Sequence, residues 1–244
     1  SSAASDVYKR QIWEDHMIEE SLHKIQQRMA DAMASVGRTD TALLVAVTKN
    51  HPVTAVEEVA RLGCTHVGEN RVQEAKEKQM LYTGPKLVWH LIGHLQVNKV
   101  RQAVPMFDLI HSVDSKKLLD EIEKVAAKHD KVQDILLQVN VAREASKSGM
   151  SVEDFPDIRD YAKTLPHVRV KGLMCMAPFF ENPDDARPIF RVAHALYEDM
   201  KGYFPDGDIQ YLSMGMTHDF EIALQEGANI VRVGTAIFGE RVYN

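Results

Sequence analysis

Small and hydroxyl-bearing residues follow two consecutive predicted strands near the end of the chain. Ser213 closes one strand, and Gly234 and Thr235 follow the next, each ahead of a helical segment. The amino end of a helix offers backbone N–H groups and the positive end of a dipole, which suits a phosphate. We therefore predict that Ser213, Gly234 and Thr235 hold a phosphate group. In the alternative interpretation Ser213 and Gly234 are turn residues, and for Thr217 we favour an N-cap role.

Lys49 stands at the end of a strongly apolar predicted strand, residues 43–48. An ammonium group there must reach solvent or lie near an opposite charge, because burying it unpaired is costly. One interpretation is a lysine that extends to solvent at the rim. The other is an amine of lowered pKa, whose neutral form attacks a carbonyl and makes a Schiff base. Beside a phosphate site, this chemistry points to a phosphorylated aldehyde or ketone.

Arg232 lies between Val231 and Val233 in the last predicted strand. Because side chains alternate along a strand, its guanidinium faces away from both valines. If that face is the interior of the protein, the charge needs a partner. The partner is either an Asp or Glu carboxylate or a ligand acceptor such as a pyridine nitrogen, which a guanidinium would keep unprotonated.

Eight short apolar runs alternate with amphipathic helical segments and would position these residues. The runs cover residues 43–48, 65–68, 87–92, 107–113, 134–141, 168–174, 209–212 and 229–233. They begin about every 27 residues, which is typical of parallel strands joined by helices. An open doubly wound sheet is the main alternative. We predict an α/β protein with a single (β/α)8 TIM barrel, whose chemistry lies at the carboxyl ends of the strands.

An extra amphipathic helix precedes the first strand. Apolar residues recur at three- and four-residue steps from Ile12 to Met33, so they share one helical face. Residues 1–10 lack this pattern and are expected to be a disordered leader or a cloning remnant. The barrel domain is therefore expected over residues 11–244.

The composition excludes several classes of protein. With 45 % hydrophobic and 26 % charged residues among 244, the chain is neither disordered nor fibrous. A formal net charge of −6 without a long basic block argues against a nucleic-acid partner. Cys64 and Cys175 form no Cys-x-x-Cys pair and are predicted to be buried free thiols. No apolar run is long enough to span a bilayer, so we expect a cytoplasmic protein without a membrane partner.

Seven short motifs occur in order between residues 46 and 241. They are AVTK at 46–49, GENRVQE at 68–74, WHLIGHLQVNK at 89–99, SKSG at 146–149, KGLM at 171–174, SMGM at 213–216 and VRVGTAIFGER at 231–241. Together they resemble the pyridoxal phosphate homeostasis protein family, over about residues 40–242. The resemblance implies the barrel of the alanine racemase N-terminal domain, with pyridoxal 5′-phosphate (PLP) as a covalently bound cofactor.

The resemblance also implies roles for individual residues. Lys49 would be the Schiff-base lysine, Arg232 would face the pyridine nitrogen, Asn70 would line the pocket, and Ser213, Gly234 and Thr235 would hold the phosphate.

Three positions depart from the family pattern. Thr48 and Thr217 replace serines and keep a hydroxyl, whereas His51 stands where many relatives have a second lysine. The family pattern marks Lys147 as important without giving its role.

One pair of histidines and a group of four methionines could suggest a binding site but are interpreted otherwise. His90 and His94 are four apart, but their segment is a predicted strand that runs into a loop, so no zinc site is expected. Met174, Met176, Met214 and Met216 are interpreted as packing residues.

Racemisation on PLP needs a second acid or base opposite the lysine. In alanine racemases a tyrosine supplies it, from a subunit with a separate C-terminal β domain, whereas residues 234–244 alone follow the last predicted strand here. We expect a monomeric PLP carrier that maintains the PLP (vitamin B6) pool, contacts PLP-dependent apo-enzymes transiently and has no robust turnover. A weak PLP-dependent amino-acid racemase and a Schiff-base aldolase are the alternatives.

Overall fold

Eight parallel strands close into a barrel in the computed structural model, which describes residues 2–145 and 148–240. Among these residues the strands follow one another around the barrel in chain order, and the first pairs with the eighth. This arrangement confirms the predicted TIM barrel and excludes the open doubly wound sheet. Each predicted apolar run overlaps one strand.

The strands are β1 (Leu43–Val47), β2 (His66–Glu69), β3 (Val88–Leu91), β4 (Leu109–Val113), β5 (Gln133–Val139), β6 (Val168–Cys175), β7 (Tyr211–Ser213) and β8 (Ile230–Val233). The helices are α1 (Ser2–Ser35), α2 (Val53–Arg61), α3 (Val72–Leu81), α4 (Val100–Ala103), α5 (Lys116–Lys128), α6 (Phe155–Ala162), α7 (Arg187–Met200), α8 (Phe220–Gln225) and α9 (Thr235–Phe238). Short 3₁₀ turns cover Val97–Lys99 and Pro183–Ala186.

Apolar side chains are buried on both faces of the barrel wall. Val45 points inward, where it packs with Leu109, Leu136, Met174 and Ile230. Its neighbour Ala46 points outward into the larger core between the strands and the helices. The nearly continuous apolar sequence of β1 therefore follows from burial on both sides of the strand.

Gly172 allows β6 and β7 to approach each other. Its φ is 153°, and an added Cβ would lie 1.8 Å from the carbonyl oxygen of Tyr211. The register between β5 and β6 also shifts here, between Ile135 and Leu136. Closure of the barrel at this seam therefore depends on the missing side chain.

Only the second half of α1 packs against the barrel. Leu22, Ile25 and Met29 are buried, and the helix contacts α2, α8 and α9. Ile12, placed on the buried face by the sequence pattern, is 51 % exposed. Residues 2–10, expected to form a disordered leader, are helical with exposed side chains. Their helix continues from the packed half because extending an existing helix does not require the costly nucleation of a new one.

Two other expectations concern the burial of the cysteines and the presence of a membrane-spanning helix. Cys64 and Cys175 are free and buried, as predicted. In the described part of the chain, no helix combines the length and apolar character needed to cross a membrane.

Candidate functional site

A cavity of about 470 Å³ opens at the carboxyl ends of the strands. Of the six predicted site residues, Lys49, Asn70, Arg232, Gly234 and Thr235 line its wall. They come from β1, β2 and β8 or from the residues just after these strands. The barrel therefore brings together residues that are up to 186 positions apart, and their contacts with a cofactor stay predictions.

Asn70 is held at the wall by a close backbone contact. It follows β2, and Gly93 follows the neighbouring strand β3. A Cβ on Gly93 would lie 2.4 Å from the carbonyl oxygen of Asn70, so only glycine allows the two loops to pack this closely. His51 also lines the cavity, and its ring centroid lies 4.9 Å from that of Phe238.

Ser213, the sixth predicted residue, lies behind the wall and is fully buried. It pairs with Ile230, which is one inward-facing position deeper in the barrel than Arg232. Its Oγ accepts a hydrogen bond from Nη1 of Arg232 at 2.5 Å and lies 3.0 Å from Nδ1 of His111. This placement does not support the predicted contact between Ser213 and a phosphate, because the hydroxyl is engaged below the cavity.

Thr217 lines the cavity instead. Its Oγ1 accepts a hydrogen bond from the backbone N–H of Ala236 at 3.3 Å, which joins the loops after β7 and β8. The predicted N-cap role is wrong, because α8 begins at Phe220 and its N-cap is Asp219. Oδ1 of Asp219 accepts from the N–H of Met216 at 2.8 Å, and this bond shapes the loop. The sequence signal that could have identified Thr217 as a cavity residue is its hydroxyl, which lies in the loop after β7.

Arg232 lines the cavity and is buried, with 3 % of the residue exposed. Its hydrogen bonds run to Oγ of Ser213 and, at 3.3 Å, to the carbonyl oxygen of Cys175, both neutral groups. Among the described residues, no carboxylate forms an ion pair with it. Burial lowers the pKa of Arg232 to about 10, against the favourable influence of Cys175 and Asp219. The carboxylate alternative raised by the sequence is therefore not what the structure contains.

A row of three histidines continues from Ser213 across the barrel interior. Nε2 of His111 lies 2.8 Å from Nδ1 of His90, and Nε2 of His90 lies 2.9 Å from Nδ1 of His66. Burial lowers the pKa of His90 to about 3, and burial, with the neighbouring His90 and Arg232, lowers the pKa of His111 well below its usual range. Both rings are therefore neutral, and each donates one hydrogen bond and accepts one.

The direction of this row follows from Arg232, which can only donate. If the Ser213 hydroxyl donates to Nδ1 of His111, then Nε2 of His111 donates to His90 and Nε2 of His90 donates to Nδ1 of His66. Sequence reasoning missed this row, because its three histidines lie on three different strands.

The other histidines and methionines considered from the sequence lie in different parts of the barrel. His94 lines the cavity, whereas His90 lies inside the barrel. Met176 and Met216 also line the cavity. Within residues 2–145 and 148–240, no group of three or more His, Cys, Asp or Glu side chains could hold a metal ion. Lys147, singled out from the SKSG motif, lies outside the described residues.

Comparison with known proteins identifies the family. The family model "Alanine racemase, N-terminal domain" matches residues 21–242. The pyridoxal phosphate homeostasis protein of Aquifex aeolicus is 42 % identical over 225 residues, which cover 92 % of this chain and 98 % of that protein. The chain belongs to the pyridoxal phosphate homeostasis protein family. The resemblance seen in the motifs is thereby confirmed.

Solved structures of PipY and of an alanine racemase share the barrel fold of this chain. PipY of Synechococcus elongatus with PLP bound is 35 % identical, with a TM-score of 0.77, and the match covers 91 % of this chain and 100 % of PipY. Without PLP, PipY gives 36 % identity and a TM-score of 0.82 over the same shares of the two chains. Alanine racemase of Bartonella henselae, at 12 % identity and a TM-score of 0.68, shares the fold over 94 % of this chain and 61 % of the racemase.

Proposed function

We propose that this protein binds PLP in the 470 Å³ cavity as a Schiff base on Lys49 and takes part in cytoplasmic PLP homeostasis without robust enzymatic turnover. The observation that carries the proposal is Arg232, a buried cation at the cavity whose hydrogen-bond partners are neutral. A buried charge needs a good acceptor, and the pyridine nitrogen of PLP is one. The PLP-bound structure of PipY, a relative at 35 % identity, supports the same cofactor.

The residues that line the cavity match the phosphate, the aldehyde and the ring nitrogen of PLP. Thr217 and Thr235 bring hydroxyls to one side of the cavity, where a phosphate can be held. Gly234 packs there against β1, since an added Cβ would lie 3.0 Å from the carbonyl oxygen of Val47. Lys49 and Arg232 supply an amine and a cation for the aldehyde and the ring nitrogen. A volume of about 470 Å³ lies within the range of small-molecule sites.

When bound, PLP supplies an aldehyde that condenses with a primary amine and a ring that withdraws electrons. Lys49 provides the amine, and one water is lost on condensation. Arg232 would donate toward the ring nitrogen and keep it unprotonated, because the guanidinium retains its own proton. An unprotonated ring withdraws electrons weakly. The arrangement therefore favours holding the aldehyde for transfer to PLP-dependent apo-enzymes over chemistry on amino acids.

The visible absorption of the purified protein, with and without added PLP, tests the cofactor and its lysine. We expect a Schiff-base band that is lost in Lys49→Ala. Lys86→Ala is the matched control, because Lys86 is exposed just before β3, at the other end of the barrel. A protein that stays colourless with PLP, or a Lys49→Ala variant that keeps the band, would refute the proposal.

A weak amino-acid racemase is the alternative, because His51, His94 and His218 line the cavity and could exchange a proton. Loss of α-deuterium from D- and L-amino acids in the presence of the PLP-loaded protein measures this reaction. We expect exchange no faster than with free PLP. Rapid exchange with racemisation would overturn the non-catalytic role and leave PLP binding in place.

A further inference from the structure

A buried ionic cluster lies behind the strand end that carries Lys49. Nζ of Lys78, on α3, donates to Oε1 of Glu69 at 2.8 Å, to Oε2 of Glu74 at 2.6 Å and to the carbonyl oxygen of Thr48 at 2.6 Å. The side chains of Lys78 and Glu69 are 8 % and 0 % exposed. Neither Lys78, Glu69 nor Glu74 lines the cavity. Burying such charges costs desolvation free energy, so the cluster is a weak source of stability.

The cluster holds the peptide groups on both sides of Lys49. The carbonyl oxygen of Thr48 accepts from Lys78, and the N–H of Asn50 donates to Oε2 of Glu74 at 2.7 Å. Oγ1 of Thr48 also donates to Oε1 of Glu69 at 2.5 Å. Lys49 thus lies between two residues that contact the same cluster, Thr48 through Lys78 and Glu69 and Asn50 through Glu74.

The backbone just after Lys49 needs such an anchor. Asn50 has a φ of 62°, in the left-handed region that non-glycine residues adopt at a cost. Its N–H bond to Glu74 holds this conformation, and Lys78 in turn holds Glu74 and Thr48. The turn has a backbone hydrogen bond of its own, from the N–H of His51 to the carbonyl oxygen of Thr48 at 3.0 Å. Lys78, 30 positions away in the sequence from Thr48, adds the contacts that fix this turn to α3.

We propose that Lys78, acting through Glu74 and the peptide groups of Thr48 and Asn50, is a positioning residue that aims the amine of Lys49 at the cavity. The inference rests on the proposed Schiff base at Lys49. Lys78 itself contacts neither the cavity nor a ligand in it. Its removal should impair the reaction of Lys49 and leave the non-covalent part of PLP binding intact.

The variant Lys78→Met keeps the length of the side chain and removes its charge. The matched control is Lys76→Met, because Lys76 lies on the same helix, is exposed and gives the same change in net charge. PLP is added to each protein, the Schiff base is reduced with borohydride after increasing times, and labelled Lys49 is quantified by mass spectrometry. We expect labelling in Lys78→Met to be at least about tenfold slower than in the unmodified protein and in Lys76→Met.

The substitution Lys78→Met in a Lys49→Ala background distinguishes an effect on the position of Lys49 from a general loss of structure around the cavity. Without Lys49, PLP binding measured by equilibrium dialysis should be equal, within about twofold, with Lys78 or Met at position 78. In the PLP-free protein, amide exchange of the peptide that contains Asn50 should be at least about tenfold faster in Lys78→Met than in Lys76→Met. If Lys78 only stabilised the fold, its loss would instead speed amide exchange throughout the barrel and weaken PLP binding in both backgrounds.

Glu74→Ala covers the case in which Lys78→Met fails to fold, since Glu74 is only partly buried and its loss releases the Asn50 N–H. It should slow labelling in the same direction. Labelling at the unmodified rate in the folded variants, or an equal loss of PLP affinity with and without Lys49, would overturn the inference. Absence of labelling at Lys49 in the unmodified protein would instead refute the proposed Schiff base, so the two failures are distinguishable.

Discussion

Replacing Ser213 by alanine distinguishes the predicted phosphate contact from the position seen in the structure. The substitution removes an oxygen that accepts from Arg232 at 2.5 Å and lies 3.0 Å from Nδ1 of His111. Each buried polar group left unsatisfied costs about 1–3 kcal/mol, so two such groups cost about 2–4 kcal/mol after partial relaxation. For a protein of this size, the Tm of the PLP-free protein should fall by about 5–10 °C.

The effect on ligand binding should be independent of the phosphate. Ser213 contacts Arg232 rather than the cavity, so Ser213→Ala should weaken PLP and pyridoxal, which lacks the phosphate, by the same factor. We expect about tenfold for each, the equivalent of about 1.4 kcal/mol for a misplaced guanidinium. Absorbance titration with each ligand measures both affinities.

Thr217→Val is the matched comparison, because Thr217 lines the cavity and the substitution replaces its hydroxyl by a methyl group of similar size, with loss of the 3.3 Å bond from the N–H of Ala236. It should weaken PLP by about tenfold with little change for pyridoxal, since a hydrogen bond to a charged group contributes about 1.5–3 kcal/mol. The opposite pattern, with Ser213→Ala selective for PLP and an unchanged Tm, would show that Ser213 reaches the phosphate and that the buried position is wrong.

Three further predictions concern stability and are read by urea or thermal unfolding. Gly172→Ala should cost about 3 kcal/mol or more, because its Cβ would meet Tyr211 O at 1.8 Å, whereas Gly37→Ala, with open space around it, should cost about 1 kcal/mol; equal costs would contradict this. Acidification from pH 6.5 to 5 should lower the free energy of unfolding, by up to about 1.4 kcal/mol per pH unit for each histidine, because the unfolded chain protonates His90 and His111 while burial keeps their folded pKa values lower. Glu69, whose pKa burial raises to about 7, opposes this loss between pH 7 and 4.5, but it is one group against two, so a more stable protein at pH 5 would refute the reasoning. Deleting residues 1–10 should change Tm by less than about 2 °C, because the side chains of residues 2–10 are exposed; a larger fall would show contacts that stabilise the barrel.

The strands, and the candidate site residues at their carboxyl ends, could be predicted from the sequence. Apolar runs at a regular spacing predicted the parallel barrel, because strand formation on a two-sided buried sheet leaves a local pattern. Lys49 and Arg232 could be placed at the cavity for the same reason, since each lies at the carboxyl end of such a run. The seven ordered motifs also indicate the family from the sequence alone.

The tertiary structure decided which hydroxyl reaches the cavity and what holds the charged groups. Ser213 and Thr217 belong to one short segment, and strand alternation gives a residue's face but not its depth in the barrel. The partners of Arg232, the histidine row and the contact of Lys78 with Thr48 join strands and helices that are distant in sequence. Such pairs leave no periodic signal along a single chain, because they are created only when the barrel closes.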